Sequence, residues 1–364
     1  MGTFDVKRAE TERRYRLSRR RLLGSVAVAT GLVGCSESID EPSGDEQGRD
    51  DEIYGDDAGD GADGDPGDGD GESGDGDGEL VDGDDETNGE EGVRDADGGD
   101  GGAESDDSQI DHERYSIMEG SEYETTVHVL TAPEEGPTAF VLGGVHGNEV
   151  GGIEAAHVAT EYEPERGRLV VIPETNRPAV EEETRSGPDG DLNRQFPPEG
   201  PTTELAEAVW GVIEAHDPDY LIDMHTSYGI FCTDEGAVGQ AVFPAPVGEA
   251  PEIATAAVEH VNETYVEPAI EEWLPEEYEI QAVLAGEGKV VSGEATQTML
   301  VAAAARERDV ESWITEVTYR DLDLEQQVYL HDRITTTLLA IAGIEVASPL
   351  DDVTNRLHQD RTGH

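Results

Sequence analysis

Lysine is almost missing from this chain: only Lys7 and Lys289 occur, so the basic side chains are nearly all arginine. A phosphate backbone is bound by clustered Lys and Arg, and their scarcity excludes nucleic acid as a partner. Cysteine is equally sparse. Cys35 and Cys232 leave no room for a disulfide framework. Cys232 reads as a small buried hydrophobe rather than a nucleophile. Long apolar runs are lacking too: the longest, Leu22 to Gly34, is too short to span a bilayer.

What is present is acid. The formal net charge is -62 over 364 residues. Part of it sits in a Gly/Asp/Glu/Ser stretch, residues 36–111, with too little apolar surface to offset the entropy of ordering; it is read as a disordered linker. The segment after it remains strongly acidic, and such self-repulsion is tolerated where molar salt cuts the Debye length to roughly 3 Å. In this the composition resembles that of proteins from extreme halophiles. Residues 1–35 read as an export signal, a basic start followed by the short apolar run. Ser18-Arg19-Arg20-Arg21-Leu22-Leu23 resembles a twin-arginine motif and Leu32-Val33-Gly34-Cys35 a lipobox, so export and a membrane attachment through a lipid on Cys35 are expected. A charged linker would hold the following domain away from the membrane.

From Tyr115 onward short branched-apolar segments alternate with longer amphipathic ones. Strands are predicted at 124–130, 138–145, 168–172, 219–224 and 312–317, and helices at 150–162, 203–216, 252–265, 296–308 and 324–344. This alternation implies an α/β domain, a mixed and mainly parallel sheet with helices on both faces, over residues 112–346; a polar tail, 347–364, follows. In such folds sites lie at the carboxyl ends of strands.

Two predicted strands run into a histidine. The first leads to His146-Gly147-Asn148-Glu149, the second to His225-Thr226-Ser227. Two imidazoles and a carboxylate make the open three-ligand set of a catalytic zinc. Alone, His146 and Glu149 would also suit a helix start with the acid at its positive end. Asp223 could orient a ligand or cap the core edge. Between the two histidines lie Arg185 and Asp191-Leu192-Asn193-Arg194, whose planar forks and amide suit a substrate carboxylate or an oxyanion, although arginines in so acidic a chain can simply pair with neighbours. Glu316 sits inside a predicted strand, Trp313 to Thr318. Buried there it would need a partner or a raised pKa and would serve as a general base; turned the other way it would be solvated.

Taken in order, His146 to Glu149, Arg185, Asp191 to Arg194, Asp223 to Thr226 and Glu316 resemble the succinylglutamate desuccinylase/aspartoacylase family of the zinc carboxypeptidase superfamily. The likeness spans roughly residues 137–344. It implies one zinc held by His146, Glu149 and His225, a carboxylate-bearing amide substrate gripped by Asn193 and Arg194, Arg185 on the scissile carbonyl, and Glu316 moving the proton. The threonine usual two positions before the catalytic glutamate falls one before it here, at Thr315, and no counterpart of the family's small C-terminal β-domain is evident. Eight further histidines (112, 128, 157, 216, 260, 331, 358, 364) are assigned packing or solvated roles. Competing readings are a peptidase acting on short peptides or envelope fragments, and a surface solute-binding lipoprotein, which has no need of this residue set.

Overall fold

The computed structural model describes residues 110–231, 234, 237–269, 274, 278–282 and 295–352. The segment read as an export signal, Cys35, Cys232, both lysines and the segment read as a linker, up to residue 109, lie outside the described residues. Among the described residues no helix is long and apolar enough to cross a membrane.

Eight strands form one sheet: β1 (Asp111–Ile117), β2 (Thr125–Thr131), β3 (Glu134–Leu142), β5 (Arg166–Ile172), β6 (Tyr220–Ser227), β7 (Ala241–Pro244), β8 (Gln281–Ala282) and β9 (Glu311–Thr318). Their order is β1-β2-β5-β3-β6-β9-β7-β8. The middle four, β5-β3-β6-β9, run parallel, while β1, β2 and β7 join antiparallel. A separate two-stranded ladder pairs β4 (Glu163–Pro164) with β10 (Val346–Ala347). The sheet is mixed and mainly parallel at its centre, as the alternation implies.

Strand alternation sorts the core into two halves. Ala139, Val141, Ile222 and Met224 face helices α1 (Val150–Ala159), α4 (Ala250–Val261) and α6 (Leu324–Ala342), while Phe140, Leu142, Leu221 and Ile314 face α3 (Glu204–His216) and α5 (Leu300–Arg308). Helix α2 (Arg177–Glu182) is a short turn after β5. Helix ends follow local chemistry. Thr203 caps α3 through Ala206 N, and Asp323 with Gln326 closes a full capping box on α6, which stops at Gly343 with φ 92°.

Several boundaries differ from expectation. β1 was not foreseen because nearly all of its residues are exposed and charged or polar, which erases the alternation signal. The helix predicted from 296 begins at Leu300, behind a 3-10 turn over Ala295–Thr298. The segment read as a polar tail from 347 is packed at its start: Ala347 pairs with Glu163, and Ser348 Oγ donates to Asp332 Oδ1 at 2.6 Å.

Candidate metal centre

The turn between β3 and α1 is shaped by glycine. A Cβ on Gly147 would stand 1.9 Å from the carbonyl oxygen of Ala179 in α2, so the turn can press against that helix only without a side chain there. Gly152 likewise lets α1 lie on β6, where a Cβ would meet Met224 O at 2.5 Å. Glu149 is the N-cap of α1, yet its carboxylate makes no capping bond. It turns instead to two histidines.

His225 lies within β6, which runs on through Ser227, and stands opposite Glu316 in the parallel register with β9. Both residues therefore project to the α3/α5 side of the sheet, together with Asp223. All four cluster residues, His146, Glu149, His225 and Glu316, are buried. His146 Nδ1 is 2.7 Å from Glu149 Oε1, His225 Nδ1 is 2.7 Å from Glu149 Oε2, and the two Nδ1 atoms are 3.1 Å apart. Thr226 N donates to Glu149 Oε2 at 3.1 Å and fixes the carboxylate plane. Three candidate ligand atoms thus converge on one point.

A zinc ion suits that point. Donors each 2.0–2.1 Å from a tetrahedral zinc are separated by about 3.3 Å, close to the distances found. The outer nitrogens fit as well: His146 Nε2 is 3.0 Å from Asp191 Oδ1, and His225 Nε2 is 2.9 Å from Asp223 Oδ2. A carboxylate behind each imidazole, with the inner nitrogens turned inward, is the support that metal-binding histidines require. Among the described residues this is the only His/Glu/Asp/Cys group of three that could hold an ion.

Burial alone would raise the pKa of Glu149, but His146 and His225 outweigh it and hold the carboxyl below the ordinary range. Asp191 shows the same balance, with His146, Arg185 and Arg194 overcoming burial. For His225 burial opposes the proton, and Asp223 and Glu149 win, raising its pKa. Glu316 behaves in the opposite way. Burial pushes it up to about 8, and the charge of Glu149 adds to this against His225 and Arg185. Its Oε2 is buried and has no hydrogen-bond partner.

The loop from α2 to α3 covers the cluster. Arg185 reaches Glu149 Oε1 at 3.4 Å and Asp191 Oδ2 at 3.3 Å. Asn193 is buried, with Oδ1 accepting from Leu300 N at 3.2 Å at the start of α5, and Arg194 donates to Asn193 O at 3.0 Å. Arg185 and Asp191 thus touch the cluster, and Asn193 and Arg194 follow Asp191 in the same loop.

Two neighbours were not assigned a part. Asp191 was noted only as the start of a motif, and its position before Asn193 was the available signal. His331 was set aside with the other histidines. It lies instead directly behind the cluster on the α1/α6 side, between Thr226 Oγ1 at 3.4 Å and Thr315 Oγ1 at 3.3 Å, and burial lowers its pKa to about 3. No spacing rule ties a mid-helix histidine to strands that distant in sequence.

Comparison with known proteins agrees with this geometry. Residues 135–230 match the family described as succinylglutamate desuccinylase/aspartoacylase catalytic domain. N-alpha-acetyl-L-2,4-diaminobutyric acid deacetylase from Halomonas elongata is 35% identical over 99 residues, which is 25% of this chain and 29% of that protein. The apo structure of Cell Shape Determinant protein Csd4 from Helicobacter pylori has a TM-score of 0.50 at 18% identity, covering 69% of this chain and 59% of that one; the tripeptide-bound form gives 0.50 at 17% over the same shares. The chain therefore spans under a third of the curated relative and somewhat over half of the Csd4 structures, whose likeness establishes the fold. The matched segment contains His146, Glu149, Arg185, Asn193, Arg194 and His225, and over it the chain is similar to the succinylglutamate desuccinylase/aspartoacylase catalytic domain.

Proposed function

We propose that the chain is a zinc-dependent hydrolase that cleaves an amide bond next to a carboxylate, removing the acyl group from an N-acyl amino acid. One observation carries this reading: two buried imidazoles and Glu149 aim their ligand atoms at one point, while Glu316, one strand over, holds an unpartnered oxygen with a pKa near 8. Zinc held by His146, Glu149 and His225 would polarise the scissile carbonyl and lower the pKa of a water beside it.

The chain's own groups then divide the work. Glu316 takes the proton of the attacking water and returns it to the leaving amine, a task matched to a group that titrates near neutrality. Arg185 faces the developing oxyanion. Asn193 and Arg194 hold the substrate carboxylate, with the Asn193 amide oriented by its bond to Leu300 N. Asp191 and Asp223 keep the inner nitrogens of the histidines pointed inward. The deacetylase relative supports deacylation of a small amino-acid derivative over cleavage of envelope peptides.

Metal analysis of the full chain in molar salt should find about one zinc per chain, and His225→Ala should release it. A chain without metal that still hydrolyses N-acyl amino acids would end the proposal. We further propose that the domain works outside the cell, tethered through Cys35 and the acidic linker, on the strength of the N-terminal motifs. Cys35→Ser should shift the protein from the membrane fraction to the medium; unchanged fractionation would remove the tether.

A further inference from the structure

Exposed large apolar side chains are few among the described residues, and most of them follow the ends of β3, β6 and β9 along the chain. Five large hydrophobic residues are exposed among the described ones, and four gather at the carboxyl end of the sheet: Val150 at 39%, Tyr228 at 52%, Tyr319 at 45% and Leu324 at 43%. Three stand close to the chemistry in sequence. Val150 follows Glu149 and opens α1, and Tyr228 and Tyr319 come directly after the ends of β6 and β9, while Leu324 opens α6. The rings of Tyr228 and Tyr319 pack with centroids 5.4 Å apart, tilted by 49°, and Tyr319 N donates to Ser227 O at 3.0 Å. The starts of α1 and α6 meet beside them, since a Cβ on Gly151 would touch both Gln327 Oε1 at 2.6 Å and Thr226 Oγ1 at 2.9 Å.

The two sides of the cluster differ in chemistry. Asn193 and Arg194, the carboxylate grip, belong to a loop packed against α3 and α5 through Leu192, Phe196 and Leu300. By strand alternation Tyr228 and Tyr319 continue the side of Thr226 and Val317, which faces α1 and α6. With the substrate carboxylate held on the first side and its amide at the cluster, as the hydrolase reading has it, the second side is left for the acyl group.

We propose that Tyr228 and Tyr319 form the acyl-group subsite, so that the chain prefers N-acyl amino acids with an aromatic or extended apolar acyl group over N-acetyl ones. This rests on the hydrolase reading above. Tyrosine faces supply large contact area at the mouth, and one good aromatic contact corresponds to roughly a tenfold preference.

The test compares N-benzoyl and N-acetyl derivatives of one amino acid, with the full zinc-loaded chain in molar salt, by kcat/KM. Wild type should favour the benzoyl compound by roughly tenfold. Tyr228→Ser with Tyr319→Ser should abolish the preference, and the paired Phe substitutions, which keep the ring faces, should restore it. Preference for the acetyl compound, or an unchanged benzoyl preference in the Ser variant, would overturn the subsite. Calorimetric binding of both compounds to Glu316→Gln separates this from the hydrolase reading. If neither compound is turned over but benzoyl binding is tighter and tyrosine-dependent, the subsite stands and the hydrolase reading falls; equal binding removes the subsite. Sedimentation that shows a dimer broken by the Ser variant, with acyl preference unchanged, would assign the rim to a second copy instead.

Discussion

Two networks of buried charge lie in this domain, and they are built on opposite principles. In the first, Asp332 accepts from Tyr162 at 2.7 Å, from Ser348 at 2.6 Å and from Arg333 Nε at 2.8 Å, while Arg333 also donates to Asp351 at 2.9 Å and lies over the rings of Tyr265 and Tyr329. No buried side-chain atom of this group lacks a partner. In the second, two imidazole nitrogens face each other at 3.1 Å, and Glu316 Oε2, both Asp223 oxygens and His225 Nε2 lack a well-aligned hydrogen bond. A satisfied network joins α6 to the C-terminal segment and needs nothing further. A crowded, unsatisfied one is what the proposed function requires, since an ion and a substrate would complete it.

That contrast can be broken from either side. The largest effect is expected at Glu316. Glu316→Gln should keep zinc at wild-type stoichiometry while lowering kcat by about 10²–10⁴-fold, and turnover within a factor of a few would take Glu316 out of the mechanism. In the satisfied network, Asp332→Ala leaves Arg333 buried without its main partner and should cost about 3–5 kcal/mol in denaturant unfolding without loss of zinc. A loss of zinc there would show that the two networks are coupled. Next in size is Asp191→Asn, which removes the charge behind His146 and should weaken zinc binding roughly 10–100-fold in chelator competition, whereas a change under twofold would reduce Asp191 to a loop residue.

The smallest effect is a pH dependence outside both networks. His128 on β2 contacts His112 at 3.1 Å, with Arg114 and His157 also nearby, and burial followed by these charges lowers its pKa to about 4. The folded state therefore binds fewer protons than the unfolded chain between about 4 and 6.5, and stability should fall as pH drops through that window. His128→Asn should flatten the slope in thermal unfolding at molar salt; an unchanged slope would place the proton uptake elsewhere.

Most of the central sheet was legible because β3, β5, β6 and β9 are short apolar runs bounded by polar turns, and α3 and α6 begin with capping residues that act locally. β1 was hidden, since an edge strand with polar exposed residues has no burial to impose a period. The cluster was legible as residue types in order: His146, Glu149, His225 and Glu316 each follow or interrupt an apolar run. Their neighbours His331 and Asp191 were not, because their contacts are made across 105 and 45 positions of sequence.

Sequence by itself determined the acidic character, the α/β alternation, the inventory of side chains able to hold zinc, and the glycine in the His146 to Glu149 turn. Only the tertiary structure decided which face of β6 and β9 those side chains take. Residues 225 and 316 were brought side by side by the parallel register, and 226 and 315 were turned to His331 on the other face. Pairing between strands is fixed by how two apolar surfaces bury against helices from distant parts of the chain. A single strand's pattern states its two faces but not which one meets the site.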